Sequence, residues 1–294
     1  MSVLECVLDA KADVGECPMW HQGEQRLYWV DASAGSIHRF NPETGENESR
    51  LLSQPCGSFG FREKGGLVGA FKDGFGFLDF ESGTLEVTAP VEAERPDTCF
   101  NDGRVGPGGH FYAGTMGSPI RLDKLDHAFY RFDPDGRITK LVDGMGTSNG
   151  LAFSPDGKTL YHSDSLPVVR TIWAWDHDPT TGAIANRRVF VDTHHMPGRP
   201  DGGCVDAEGF YWSALVDGWQ VARFDPDGKL ERVLSIPVQK PSMPCFGGPD
   251  LDTLFVTSIG NGGTVPMAPD QPLAGGIFAC QPGMKGLPEP MFSG

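Results

Sequence analysis

The chain has 294 residues, 39% of them hydrophobic, with 40 Gly, 24 Pro and a formal net charge of −15. That is apolar enough for a packed core. The acid excess, with no run of Lys and Arg, excludes nucleic acid and an anionic membrane surface as partners. No stretch approaches the roughly 18 apolar residues of a membrane span. The N-terminus MSVLECVLDAKADVG lacks the basic start and apolar segment of a signal peptide. The seven Cys form no CxxC pair. They read as buried free thiols of a cytoplasmic protein rather than as disulfides or zinc ligands.

In chain order, short β-rich runs alternate with Gly, Asp, Asn and Pro clusters, and amphipathic helical periodicity is almost absent. The runs recur in a fixed order. A turn (HQGEQ, REKGG, GPGG, SPDGK, DAEG, GPDLD) precedes an aromatic-rich strand: RLYWVDA at 26–32, GLVGAF at 66–71, HFYAGTM at 110–116, TLYHSDS at 159–165, FYWSALV at 210–216 and TLFVTSI at 253–259. Each leads into a second strand (SIHRF, GFGFLDF, HAFYRF, TIWAW, QVARF, GIFAC). Five continue through a turn such as NPETG or DPDG into a weaker, polar strand. The sixth unit lacks that last strand, and SVLECVLDA at the chain's start can supply it. This predicts an all-β fold, a six-bladed β-propeller of four-stranded blades in one domain over 1–294, closed by the N-terminal strand. A β-sandwich does not explain six repeats in register.

One further segment opens each unit: GECPMW, CGSFGF, CFNDGRV, TSNGLAF, RPDGGCV and MPCFGGP. In a propeller these line the central channel. Aligned, they offer Glu16, Ser58, Asn101, Asn149, Asp201 and Phe246 as inner positions. RPDGG at 199–203 therefore opens an inner strand, whereas the PDG of 133–136, 154–157 and 225–228 marks turns. Glu16, Asn101, Asn149 and Asp201 all present oxygen, and none presents sulfur or imidazole. Two carboxylates and two carboxamides converging on a channel make a hard-cation site, and the cation would relieve the repulsion between the carboxylates.

The segments GECPMW, FNDGRVGPGGHFYAGTM, SNGLAFSPDGKTLYHSDS, RPDGGCVDAEGFYWSAL and PCFGGPDLDTLFVTS resemble the regucalcin (senescence marker protein 30)/gluconolactonase-like family of six-bladed propeller lactonases. The resemblance runs from residue 15 to 258. It implies one divalent cation (Ca, Zn, Mn, Mg or Fe(II)) held by Glu16, Asn149 and Asp201. It also implies Asn101 at the substrate or at a metal-bound water, and Asp201 as catalytic acid/base. The implied reaction is hydrolysis of a sugar-acid lactone by a monomer or small homo-oligomer. Two departures concern the substrate pocket. Cys99 stands where many sugar lactonases carry Arg, and Met116-Gly117-Ser118-Pro119 supplies no acid where some carry a sugar-binding Glu. Cys99 donates far less to a polyol than Arg does.

Other residues are read as structural. His194 and His195 are adjacent, so on a strand they face opposite ways; their polar loop suits the surface or a pocket rim. His162 packs in a second strand, and Ser163 and Ser165 lack a nucleophile elbow. Cys17 and Cys204 turn away from the channel by strand alternation. Tyr28, Trp29, Tyr211 and Trp212 pack between blades. Two other functions fit the same site: hydrolysis of organophosphate or other esters, and non-catalytic calcium binding on a propeller scaffold.

Overall fold

The computed structural model describes residues 3–262 and 265–294. Six four-stranded antiparallel sheets form a six-bladed β-propeller. Blades one to five take their strands consecutively, with inner strands Gly15–His21, Cys56–Phe61, Thr98–Val105, Ser148–Phe153 and Arg199–Val205. In blade six the inner strand Pro241–Gly247 is followed by Thr253–Ser258 and Ile277–Cys280. Glu5–Leu8 then adds as the outer strand, with Cys6 opposite Phe278 and Leu8 opposite Ile277. The first and last units of the chain thus share one sheet, as the missing sixth outer strand predicted.

Local chemistry separates turns from strands. In the three PDG turns the glycines adopt φ of +86° (Gly136), +70° (Gly157) and +82° (Gly228), a region costly for residues with a Cβ. Their amides close onto the carbonyls of Asp133, Ser154 and Asp225 at 2.8–2.9 Å. Asp201 lies instead within the strand Arg199–Val205. The RPDGG segment is an inner strand, as read from the repeat.

The core lies between blades. Tyr28 of blade one meets Phe61 and Phe80 of blade two edge-on, at 5.3 and 5.4 Å between ring centroids. Phe75 of blade two stacks on Phe132 of blade three at 5.2 Å. Tyr211 of blade five packs on Tyr161 of blade four at 5.1 Å, and Trp212 meets Phe246 of blade six at 5.9 Å. Trp29 stacks on His38 within its own blade at 3.8 Å and belongs to the buried cluster that joins blade one to Cys245, Phe255 and Ile277 of blade six. Each large buried ring contributes several kcal/mol (Phe→Ala roughly 3–5), so this packing holds neighbouring blades in a fixed relation.

All six inner strands break register at the same depth. The shifts fall between Glu16 and Met19, Cys56 and Ser58, Phe100 and Gly103, Asn149 and Ala152, Pro200 and Gly203, and Pro241 and Pro244. Such bulges re-aim side chains and add local twist. Below them the pairs Trp20–Leu27, Phe61–Leu67, Val105–Phe111, Phe153–Leu160, Val205–Tyr211 and Phe246–Leu254 are in common register. Counting back from these pairs puts Glu16, Gly57, Asn101, Asn149, Asp201 and Ser242 at equivalent positions. The expected Ser58 and Phe246 are therefore corrected: Ser58 lies one residue further along, and Phe246 sits at the opposite end of its strand.

Candidate active site

Glu16, Asn101, Asn149 and Asp201 arrive from four blades at one cavity of about 610 Å³. Three of them, Glu16, Asn149 and Asp201, are set by neighbouring anchors. The Asp31 carboxylate accepts the amides of Asp13 (2.8 Å) and Val14 (3.1 Å), just before Glu16. The Asp164 carboxylate accepts those of Gly146 (2.6 Å) and Thr147 (2.9 Å), just before Asn149. Arg199 pairs with Asp217 at 2.7 Å and donates to the Ser165 carbonyl at 2.8 Å, beside Asp201. At the first bulge Cys17 adopts φ +48°, an uncommon conformation for a residue with a Cβ, and its amide donates to Glu16 Oε2 at 3.2 Å.

The carboxamides are oriented by a chain of donors. Asn101 Nδ2 donates to the Ser148 carbonyl and to Asn149 Oδ1, both at 2.8 Å. Asn149 Nδ2 donates to Ser165 Oγ at 2.6 Å, and Ser165 Oγ donates to the Pro200 carbonyl. Ser165 lines the cavity, yet its proton is committed to a carbonyl, which does not suit a nucleophile. Among the described residues the Asn101 oxygen is left as a free acceptor, while Asn149 Oδ1 already accepts one bond from Asn101.

Electrostatically the site is strained. Glu16 and Asp201 are each only 6% exposed. Burial pushes the Glu16 carboxyl well above its ordinary range, and the nearby Asp201 and Asp102 carboxylates push it further. Asp201 is raised by burial and by Asp102, while Arg199 pulls it back. The donor set fits a hard divalent cation: carboxylate and carboxamide oxygens, crowded and poorly solvated. Among the described residues no group of three or more His, Cys, Asp and Glu gathers in metal-binding range. A cation here would draw on a carboxamide as well as on Glu16 and Asp201.

Cys99 also lines the cavity, together with Met116, Gly117, Ser118, Pro119 and Ile120. The stretch after Met116 brings no carboxylate to this wall, and burial pushes the Cys99 thiol up. The remaining candidates fall where expected except Cys204, which lines a second cavity at the far end of the inner strands rather than turning away from the channel. His162 is fully buried against Phe129 with Nε2 2.6 Å from Ser148 Oγ, and burial lowers its pKa to about 3. His194 is exposed and bound to Asp192, and both His194 and His195 stand outside the cavity lining. Cys17 and Cys204 are buried in apolar clusters, and the seven cysteines are free thiols. Among the described residues no helix is long and apolar enough to cross a membrane.

Sequence reasoning missed Asp102. Alternation turns it away from Asn101, but the bulge carries it toward the axis. It accepts the Gly150 amide at 2.9 Å, and burial raises it to about 6. Its acceptance of Gly150 N–H ties blade three to the residue following Asn149. The NDG motif was the available signal. Lys72 is the other omission; it lines the cavity with its ammonium held by the Arg95 carbonyl at 3.1 Å and by the Thr98 carbonyl.

A six-bladed propeller with an oxygen-lined cavity at its axis defines a recognisable class. Residues 14–260 match the family described as SMP-30/Gluconolactonase/LRE-like region. The chain belongs to this family. It is 38% identical over 291 residues to the 6-deoxy-6-sulfogluconolactonase of Pseudomonas putida, covering 99% of each chain. Among solved structures, a luciferin-regenerating enzyme superposes with a TM-score of 0.93 at 26% identity, covering 100% of both chains. Regucalcin of Agrobacterium tumefaciens, described as a calcium-binding protein, superposes at 0.88 with 27% identity, covering 98% of this chain and 96% of that one.

Proposed function

We propose that this chain opens the lactone ring of a sugar acid by adding water to its carbonyl, with Asp201 as acid/base. Sugar-lactone hydrolysis as a class follows from membership in the family. The observation that carries the mechanism is the convergence of Glu16, Asn101, Asn149 and Asp201 from four blades on one cavity.

Glu16, Asn149 and Asp201 would hold a divalent cation, of which calcium is the one named for a structural relative. Such an ion polarises a carbonyl oxygen and lowers the pKa of bound water. The chain's own groups supply the rest. The Asp201 carboxylate takes a proton from the attacking water and returns one to the departing ring oxygen. Asn101, fixed by Ser148 and Asn149, presents its Oδ1 to a substrate hydroxyl or to water. Blade packing keeps bulk water from the carboxylates. The Cys99 wall has lost a polyol donor while Lys72 adds a cation. That pattern, with the sulfonated sugar lactone named for the Pseudomonas relative, makes anionic six-carbon lactones candidates beside neutral ones.

The test is proton release on a panel of five- and six-membered aldonolactones, neutral and anionic, with chelator-stripped and metal-restored enzyme. Metal-dependent turnover is expected. Asp201→Asn keeps an oxygen donor but removes the base, so turnover should fall by about 10²–10⁴. Near-normal turnover in metal-loaded Asp201→Asn would sink the assignment. Absence of lactone turnover with a cation still bound would move the site to another ester class or to a binding role.

A further inference from the structure

The opposite mouth of the channel holds a second cavity, of about 400 Å³, apart from the lactone site. Its base is Arg104, from the same inner strand as Asn101 and Asp102. The Arg104 side chain is 8% exposed. Among the described residues its Nε and Nη2 have no hydrogen-bond partner. Its counter-charge is the half-buried Glu289, whose Oε1 ion-pairs with Nη2 at 3.7 Å, too long for a hydrogen bond. The thiols of Cys17, Cys204 and Cys245 lie near it, and thiols are weak acceptors. Nε and Nη2 form the edge of a guanidinium that grips a carboxylate with two parallel bonds. A buried Arg that leaves this edge unused calls for an explanation.

The walls supply the second half of the argument. Val105, Phe153, Pro155, Phe246, Leu287 and Pro288 make them largely apolar. The roof is the C-terminal segment, a strap tied down at both ends. At one end the Gly286 amide donates to the Leu251 carbonyl at 2.7 Å, and the Lys285 carbonyl accepts from Ala207 at 2.8 Å. At the other the Phe292 amide donates to the Phe61 carbonyl at 2.8 Å. Gly286 passes so near Phe246 that a Cβ there would collide with its side chain. Between the ties lies Leu-Pro-Glu-Pro, whose prolines have no amide to donate.

We infer that this cavity is a binding site for a small carboxylate with an apolar tail, gripped by the Nε/Nη2 edge of Arg104. Glu289 of the strap stands loosely in the ligand's place. A buried cation held only by the loose Glu289 ion pair, among largely apolar walls, suits a monoanion with a hydrocarbon body that can displace Glu289, and a polyol would leave its hydroxyls unpaired there. The inference is independent of the lactonase reading.

The test is calorimetric titration of the full chain with octanoate, using 1-octanol and gluconate as controls. We expect saturable 1:1 binding of octanoate, with both controls at least tenfold weaker. Arg104→Met should weaken octanoate binding at least tenfold. Glu289→Gln removes a like-charged competitor and should tighten it several-fold. Asp201→Asn, at the other mouth, should leave it unchanged. The inference is overturned by absence of saturable octanoate binding, by equal binding of 1-octanol or gluconate, or by loss of binding in Asp201→Asn. Unchanged affinity in Arg104→Met overturns it as well. Should Arg104→Met fail to fold, Glu289→Gln decides: unchanged or weakened affinity there refutes the competitor role and with it the site.

Discussion

Asp164 offers a sharp test of how the fold sets the site. It is 1% exposed, and its carboxylate accepts three backbone amides: Gly146 at Oδ2 (2.6 Å), and Thr147 and Leu166 at Oδ1 (both 2.9 Å). Asp164→Ala leaves three amides without their acceptor. At about 1–3 kcal/mol for each unsatisfied buried group, partly relieved by water entering the vacated space, the loss should be about 3–6 kcal/mol. That is a large part of a typical 5–15 kcal/mol stability. Asp164→Asn should be milder. Its Oδ1 keeps the Thr147 and Leu166 amides, and its Nδ2 faces the Gly146 amide donor to donor, for about 2–3 kcal/mol. Urea unfolding at constant m measures both differences. Turnover of the folded fraction should also fall in both variants, because Gly146 and Thr147 lead directly into Ser148 and Asn149. An Ala variant within about 1 kcal/mol of the parent would refute the reasoning, as would an Asn variant that is equally damaging.

Other expectations follow from the same contacts. A Cβ on Gly57 would lie 2.9 Å from the Asn101 carbonyl oxygen and closer still to that of Phe100; Gly57→Ala should therefore cost at least about 1–3 kcal/mol and depress turnover, read by thermal unfolding and kcat together. His162 has its pKa lowered from 6.5 to about 3 by burial. Its contribution to stability is complete above pH 6.5 and is lost as pH falls toward 3, because the unfolded chain binds that proton first. The full swing is about 5 kcal/mol, and in denaturant melts His162→Phe should flatten the acid limb between pH 6 and 4. Cys99→Arg should raise kcat/KM for neutral polyol lactones relative to the parent, since the guanidinium adds donors beside Asn101; an unchanged substrate ranking would show that this wall does not select the sugar. Phe75→Ala, which empties the contact between blades two and three, should cost roughly 3–5 kcal/mol by the same denaturation assay.

Much of this architecture was legible because it repeats. The order of turn, aromatic strand, second strand and polar strand occurs often enough that RPDGG could be set in register with SNG and NDG rather than with the turns. Glu16, Asn149 and Asp201 were found in that way. Blades two and six carry no acid or amide at the equivalent position, so CGSFGF and MPCFGGP offered nothing to fix the count; Ser58 and Phe246 were misplaced by one and four residues as a result. The C-terminal strap was illegible for another reason. Its ties are backbone hydrogen bonds to Leu251, Ala207 and Phe61, and main-chain partners leave no mark in side-chain pattern.

The bulges explain both the success and the failure. A regular strand presents alternate residues to the channel, so each blade could offer one functional side chain at a given depth. A register shift at that depth, present in every inner strand, relaxes the constraint. In blade three it lets Asn101 line the cavity while Asp102, next in sequence, reaches Gly150 of blade four and raises the Glu16 and Asp201 carboxyls. Regular pairing resumes at Gly103, and Arg104 then points to the far mouth. One strand therefore lays out acceptor, acid and base along the axis in a few residues. The Arg104 charge pulls Asp102 back toward ionisation, so the far end of the strand helps keep this buried carboxyl charged where it accepts the Gly150 amide.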